Sequence, residues 1–358
     1  MDVVTAEENL RKLGIDITPV MTSTTMNTIS GHELFFKCEL FQKTGSFKVR
    51  GATNACANLP EEKKVVVTHS SGNHAQALAF AAKASGRKAV VVMPNISPQV
   101  KVEATKAYGA EVILCDVKDR VKEAERIVKE LDAEFISPCE HPDVIAGQGT
   151  IVHELMKQVQ DSLDNGRYVS SIEQLDRDYG CNPPLDAIIV PVSGGGLLSG
   201  TAFFCKRRWP GVLVIGAEPL TMDDASRSLK LGSIQTNDPN AYKNTIADGL
   251  RLQLGSNTFP IVYEFVDDII TVKEDDIISA TSLIWSRMKL QIEPSSAVAV
   301  AVACSQEFRD IMKKKLQKRC QNYRSARVGV ILTGGNVDLK TLGPILADAK
   351  AYPSGSIL

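Results

Sequence analysis

The chain has 358 residues, 41 Lys and Arg against 42 Asp and Glu, and a formal net charge of −1 at pH 7. That length exceeds one small core and points to two domains, while the balanced charge gives no electrostatic reason to expect nucleic acid or an anionic membrane as partner. No apolar run approaches the ~20 residues that span a bilayer, the acidic start lacks a secretory core, and eight scattered cysteines without a C-x-x-C pair fit reduced thiols in a cytoplasmic protein.

In chain order, short β-branched runs alternate with helical stretches. Residues 65–68 read as a strand and 74–85 as an alanine-rich helix closed by Gly86. A strand at 89–93, a helix over 98–108 stopped by Gly109 and a strand at 111–115 follow. Residues 118–131 form an amphipathic pattern, and 187–192, 213–218 and 328–333 are further continuous apolar runs. Such runs suit parallel strands covered by helices on both faces, so the fold class is α/β with open, mostly parallel sheets. The compact βαβαβ unit at 65–115 predicts a small mobile domain over 65–142. A larger, discontinuous domain then spans 1–64 and 143–358. The polar stretch 161–184 reads as a surface insertion, and the basic run 309–327 as a solvated helix face and then a loop.

Four glycine-bearing clusters sit at strand or segment ends, where open α/β sheets bind ligands. In Gly45–Ala52 a lysine, Lys48, lies between apolar neighbours and two glycines. An amine taken out of water is a better nucleophile toward a carbonyl, although the segment alone fits a surface lysine beside Arg50 equally well. Ser70-Ser71-Gly72-Asn73-His74 follows a strand and opens a helix, which makes an anion site of the helix N-terminus. A plain N-cap explains only one of those polar residues. Ser193-Gly194-Gly195-Gly196-Leu197 lets a backbone wrap a phosphate closely, or is a flexible turn. It is neither a Walker loop nor a G-x-G-x-x-G turn. Thr333-Gly334-Gly335-Asn336 closes the last strand. Together the four offer an amine, two anion cradles and a hydroxyl, a set that suits an aldehyde cofactor bearing a phosphate.

The motifs FQKTGSFKVRGA, SSGNHAQAL, PVSGGGLLSG, AEP…DDA, IEPSSAVAVA and LTGGNVDL resemble, in order and spacing, the fold-type II pyridoxal phosphate family, in its group of serine racemases and serine/threonine dehydratases. The resemblance runs from about residue 18 to 339. It implies a tryptophan synthase β-like fold of two α/β domains and a homodimer acting on a small amino acid. The implied activity is racemisation of L-serine to D-serine with accompanying β-elimination to pyruvate and ammonia. The alternative is a dehydratase with little racemase activity. A cofactor-free binding protein on the same fold is the contrasting reading, and Lys48 argues against it.

By the same resemblance, Lys48 holds pyridoxal 5′-phosphate as a Schiff base and moves the α-proton on one face, with Phe47 packed beside the cofactor. Asn73 matches the residue bonded to the pyridoxal 3′-oxygen. Ser193, Gly194, Gly195, Gly196 and Leu197 match the phosphate loop, and Thr333 the hydroxyl at the pyridine nitrogen. Ser71 matches the acid/base on the opposite face, and Ser70, Ser71, Asn73 and His74 the binders of the substrate carboxylate. Glu218, Asp224 and the Met222 carbonyl match ligands of Mg2+ (or Ca2+ or Mn2+). Thr24, Thr25, Lys43, Thr44, Gln76, Lys101 and Tyr108 match an ATP effector site. Two departures stand out. Ala75 replaces a common glycine and is expected to narrow the cradle. Leu250, Arg251 and Leu252 stand where animal enzymes carry a serine. Arg120 or Arg126 is then a candidate to close over the carboxylate.

Overall fold

A computed structural model describes residues 2–166, 183–238, 240–317 and 325–347. Its strands are β1 (Val20–Met21), β2 (Glu33–Cys38), β3 (Val65–His69), β4 (Lys88–Pro94), β5 (Glu111–Cys115), β6 (Glu134–Phe135), β7 (Ala187–Pro191), β8 (Leu213–Pro219), β9 (Asp268–Val272) and β10 (Arg327–Leu332). They form two sheets, ordered β1-β2-β10-β7-β8-β9 and β5-β4-β3-β6. Every pairing is parallel except β1 with β2.

Side-chain alternation distributes each strand of the larger sheet over two cores. Leu34, Phe36, Ile189, Ile215, Val328 and Val330 face the helices Glu274–Met288 and Pro294–Ala303. Phe35, Ile188, Val190, Val214 and Ile331 face Pro142–Asp164 and Gly196–Arg208. Helix Pro294–Ala303 is buried at every residue, which explains its uniformly apolar and small composition. In the smaller sheet, Val66, Val91 and Met93 pack on Asn73–Ala84, and that core also takes in Val49, Ala52 and Cys56 of Lys48–Asn58. Val67, Val90 and Val92 pack on Ala124 and Ile127 of Arg120–Glu130.

The structure adjusts several sequence expectations. The pattern at 118–131 divides into a 3-10 turn, Val117–Asp119, and the helix Arg120–Glu130. Helix Pro142–Asp164 runs into the polar stretch expected as an insertion, so 161–164 are helical, and 167–182 lie outside the described residues. The basic run opens with helix Gln306–Gln317, and residues 318–324 lie outside the description. Two of its arginines are drawn onto the protein, Arg309 half-buried and Arg327 buried. The Arg309 guanidinium donates to the carbonyls of Ser30 and Cys304. Arg327 is buried, opens β10 and donates to Glu33 at 3.3 Å. No helix among the described residues is long and apolar enough to cross a membrane.

Candidate active site

Within each sheet the parallel strands aim their carboxyl ends at one edge. Past the ends of β2, β3, β7 and β10 lie the four clusters singled out above. Lys48 is the first residue of helix Lys48–Asn58. Phe47 N–H donates to the Thr333 carbonyl at 2.9 Å, and Ser46 bridges to Gly334. The lysine is half-buried, its Nζ 2.9 Å from the Pro138 carbonyl, 3.7 Å from Cys139 Sγ and 5.1 Å from the Phe47 ring centroid.

A buried, charge-balanced network holds this helix. Arg50 donates to Glu39 at 2.7 and 2.9 Å and to Glu154 at 2.7 and 2.8 Å, while Lys37 donates to Glu154 at 2.8 Å. Arg50 and Lys37 are both 0% exposed. Arg50 is therefore no partner for a surface lysine; it ties the start of the Lys48 helix to the turn after β2 and to Pro142–Asp164.

The glycine loop leads from β7 into helix Gly196–Arg208. Gly195, at φ +88°, is the left-handed residue before it, and no side chain caps the helix. Its first-turn N–H groups are thus left for an anion. The glycines are demanded from the protein side. A Cβ at Gly194 would lie 2.7 Å from Cys139 Sγ, one at Gly195 2.7 Å from Thr258, and one at Gly196 2.8 Å from the Cys139 carbonyl. The loop is a close-packed cradle, not a slack turn. Ser193 Oγ accepts from Leu252 N at 3.0 Å, pinning the 250–254 segment to the loop.

Helix Asn73–Ala84 also starts without a side-chain cap, at Gly72. Ser70 and Ser71 are half-buried before it. Ser70 Oγ accepts from Gly72 N, and Ser71 makes no side-chain hydrogen bond among the described residues. Asn73 Nδ2 donates to both Glu293 oxygens at 3.1 Å, and Asn336 Nδ2 donates to Asn73 Oδ1 at 2.9 Å. Burial, then the charge of Asp248, raises the Glu293 carboxyl to about 7. Thr333 is buried, its hydroxyl 3.0 Å from Ser296 Oγ.

Two expectations about this cradle need correction. The His74 imidazole does not face it. The ring is buried, its Nε2 3.1 Å from the Ile136 carbonyl, and burial followed by the Lys48 charge lowers its pKa to about 3. One ring nitrogen is thus committed to the backbone, Nδ1 is buried without a partner among the described residues, and the main-chain N–H of His74 lies in the first turn of the helix. Nor does Ala75 narrow the cradle, because its methyl is buried in the core beside Val66 and Leu78.

An amine, an uncapped helix N-terminus beside a glycine loop, a second uncapped helix and a buried hydroxyl fit an aldehyde cofactor with a phosphate. Residues 11–334 match the family model described as pyridoxal-phosphate dependent enzyme. The chain belongs to this family. It is 44% identical to the serine racemase of Bos taurus, over 98% of this chain and 97% of the relative. The crystal structure of serine racemase from Dictyostelium discoideum is similar with a TM-score of 0.80 at 44% identity, covering 95% of this chain and 99% of that one. That of a pyridoxal 5′-phosphate-dependent aspartate racemase gives 0.79 at 38% identity, covering 95% and 96%.

In this pyridoxal-phosphate dependent enzyme, Glu218 near the end of β8 comes together with Asp224, the first residue of helix Asp224–Leu231. Glu218 accepts from the N–H groups of Ala225 and Ser226, each at 2.9 Å. Asp224 accepts from Asn237 Nδ2 at 2.7 Å and Leu254 N at 3.1 Å. Burial, then the charge of Asp224, pushes Glu218 well above the carboxylate range, and burial raises Asp224 to about 6. Two such acids fit a divalent cation with oxygen ligands completed by a carbonyl such as that of buried Met222. Among the described residues no larger cluster of His, Cys, Asp or Glu offers a metal cage.

The effector positions divide. Tyr108 OH donates to the Lys43 carbonyl at 3.3 Å and its ring meets Phe80, one turn beyond the buried Gln76. Thr44 is buried beside them in sequence, while Lys101 pairs with Asp248 at 3.0 Å. Thr24 and Thr25 are not brought to this cluster. Because β1 runs antiparallel to β2, with Val20 opposite Lys37 and Met21 opposite Phe36, they lie toward the start of β2, whereas Lys43 follows its end. Of the two candidate arginines, Arg126 is engaged on the helix surface with Glu123 and Glu130, and Arg120 lies near His69, the residue before Ser70. Sequence reading gave no individual role to Glu293, Asn336, Cys139 or Ser296. Glu293 carried one signal, an acid set between Ile292 and Pro294 at the head of an apolar helix.

Proposed function

We propose that this enzyme racemises serine and also eliminates its β-hydroxyl to give pyruvate and ammonia. The observation that carries the reading is the unpaired Ser71 hydroxyl before an uncapped helix, in a chain whose Lys48 charge reaches His74 of that helix and which is 44% identical to a serine racemase along its length. Bound pyridoxal phosphate supplies an electron sink that makes the substrate α-proton acidic. Lys48 Nζ takes that proton on one face. Ser71 Oγ returns one on the other, which inverts the centre. The N–H groups opening Asn73–Ala84, with Ser70, hold the substrate carboxylate. Those opening Gly196–Arg208, with the 193–197 loop, hold the phosphate. Phe47 would pack beside the ring, Asn73 would bond the 3′-oxygen, and Thr333 would meet the ring nitrogen. Positioned proton transfer contributes roughly 10²–10⁴-fold. A Ser71→Ala variant, assayed for D-serine and pyruvate, is therefore expected to lose D-serine formation by at least that lower factor while retaining pyruvate formation. Unchanged D-serine output overturns the role.

We extend the reading to architecture and ligands. Separate cores for the two sheets support a small mobile domain at 65–142 against a larger one of 1–64 and 143–358. The Lys101–Asp248 pair spans the cleft between them. Glu218, Asp224 and the Met222 carbonyl hold magnesium, or calcium or manganese, and brace the larger domain away from substrate. Lys43, Thr44, Gln76, Lys101 and Tyr108 take ATP as an effector. Exposed Ile17 and Phe41 lie on segments joined by hydrogen bonds between Gln42 and Asp16, a patch that favours a homodimer. The free cysteines 38, 56, 115, 139 and 205 accord with a cytoplasmic protein.

A further inference from the structure

A trough of about 270 Å³ runs between helix Arg120–Glu130 and the β3–β6 edge of the smaller sheet. Val121, Ala124 and Val128 line it from the helix, and His69 and Phe135 from the strands. Residues 121, 124 and 128 are spaced three and four apart and share one helix face. Val67 and His69, two apart on β3, point to the same side of the sheet, where Val67 packs on Ala124. The His69 ring belongs to this apolar lining. Burial, then the charge of Arg120, lowers its pKa, so the ring is neutral, and its centroid lies 5.2 Å from that of Phe135. Val121 is 45% exposed, a large aliphatic side chain left at the opening. Two exposed charges of opposite sign, Glu125 and Lys129, also border the trough, one helical turn apart. Their neighbours Glu123 and Glu130 are taken by Arg126. Neither Glu125 nor Lys129 has an ion-pair partner among the described residues.

We propose that this trough is a second amino-acid site, separate from the one at Lys48, and that it takes a zwitterion with an aromatic side chain. Glu125 receives the ammonium and Lys129 the carboxylate. The side chain lies against Val121, Ala124 and Val128, as a third ring beside His69 and Phe135. Volume sets the size of the ligand. Sites for drug-sized molecules measure about 300–1,000 Å³, and this smaller one suits a single ring with its amino-acid head. An acid or an amine alone leaves one of the two charges unmatched. His69 is followed directly by Ser70 and Ser71, so the trough shares a strand end with the proposed substrate cradle while using none of its residues.

The test is titration calorimetry of the holoenzyme with L-phenylalanine, phenylacetate and phenethylamine, with the cofactor absorbance recorded alongside. L-Phenylalanine is expected to bind more tightly than either fragment and to leave the cofactor band in place. Val128→Trp fills the trough and is expected to abolish that binding while cofactor uptake and serine turnover stay as in wild type. Glu125→Lys, a change at an exposed position, is expected to weaken L-phenylalanine at least about fivefold and to reverse its preference over phenylacetate. It serves alone if the tryptophan variant does not fold. Absence of L-phenylalanine binding to wild type overturns the proposal, and so does equal binding of the fragments. Binding that shifts the cofactor band and survives both substitutions places the amino acid at Lys48 instead and also overturns it.

Discussion

Cys139 stands between Lys48 and the glycine loop, its Sγ 3.7 Å from Lys48 Nζ and against Gly194, where an added Cβ would come within 2.7 Å of the same sulfur. Cys139 thus couples the amine to the phosphate cradle through packing. Gly194→Ala is expected to weaken pyridoxal phosphate binding and to cost about 1–3 kcal/mol of stability through overpacking. Adding Cys139→Gly removes the clashing side chain and restores most of both losses. Gly196→Ala meets the Cys139 backbone carbonyl at 2.8 Å, so the same second change does not rescue it. Cofactor titration and thermal melts of the four variants check this contrast.

The Arg50 network predicts a stability effect at a position two residues from the reactive lysine. Arg50→Met leaves Glu39 and part of Glu154 as buried charges without their guanidinium. Breaking such a pair costs about 3–5 kcal/mol, read by denaturant unfolding. Arg50→Met with Glu39→Gln removes one charge of each sign and is expected to recover part of that loss.

Glu293 predicts a pH dependence of the cofactor-free protein. The unfolded chain releases this proton near the ordinary value of 4.5 and the folded protein near about 7. Between those values the unfolded chain is the more ionised. The group's contribution to stability, complete below about pH 4.5, is therefore lost as pH rises and is gone above about 7. The size is on the order of 3 kcal/mol, at 1.36 kcal/mol per pKa unit. Melting curves of wild type and Glu293→Gln, compared from pH 4.5 to 8, are expected to diverge in the variant's favour up to pH 7 and run parallel beyond it.

The acid pair predicts stabilisation by a divalent cation. Magnesium at 100 times its dissociation constant adds about 2.7 kcal/mol when it binds only the folded chain. Thermal melts of wild type are expected to rise with magnesium and fall back with chelator. Asp224→Asn is expected to remove that response without abolishing cofactor uptake. A response that survives in Asp224→Asn places the ion elsewhere.

The fold was legible where one strand carries one kind of residue. β7 and β10 are buried along their length, so their continuous apolar runs announce them. β2 escaped notice because Lys37 sits inside it, and its partner Glu154 is 117 residues away. Arg50 misled for the same reason, since nothing near it in sequence shows the acids that bury it. The cradles were legible as motifs, yet their internal logic was not. The glycines 194 and 196 answer to Cys139, and His74 turns inward to Ile136, because contacts between distant segments decide which way each side chain points. Thr24 and Thr25 matched an effector pattern by position, while the antiparallel β1 carries them toward the other end of the sheet.

Borohydride reduction of the protein incubated with pyridoxal phosphate, followed by peptide mapping, tests most directly whether the amine at position 48 holds the cofactor. A single reduced pyridoxyl adduct is expected on the peptide containing Lys48, absent from Lys48→Ala. A wild-type protein without the adduct, or with the adduct on another lysine, contradicts it.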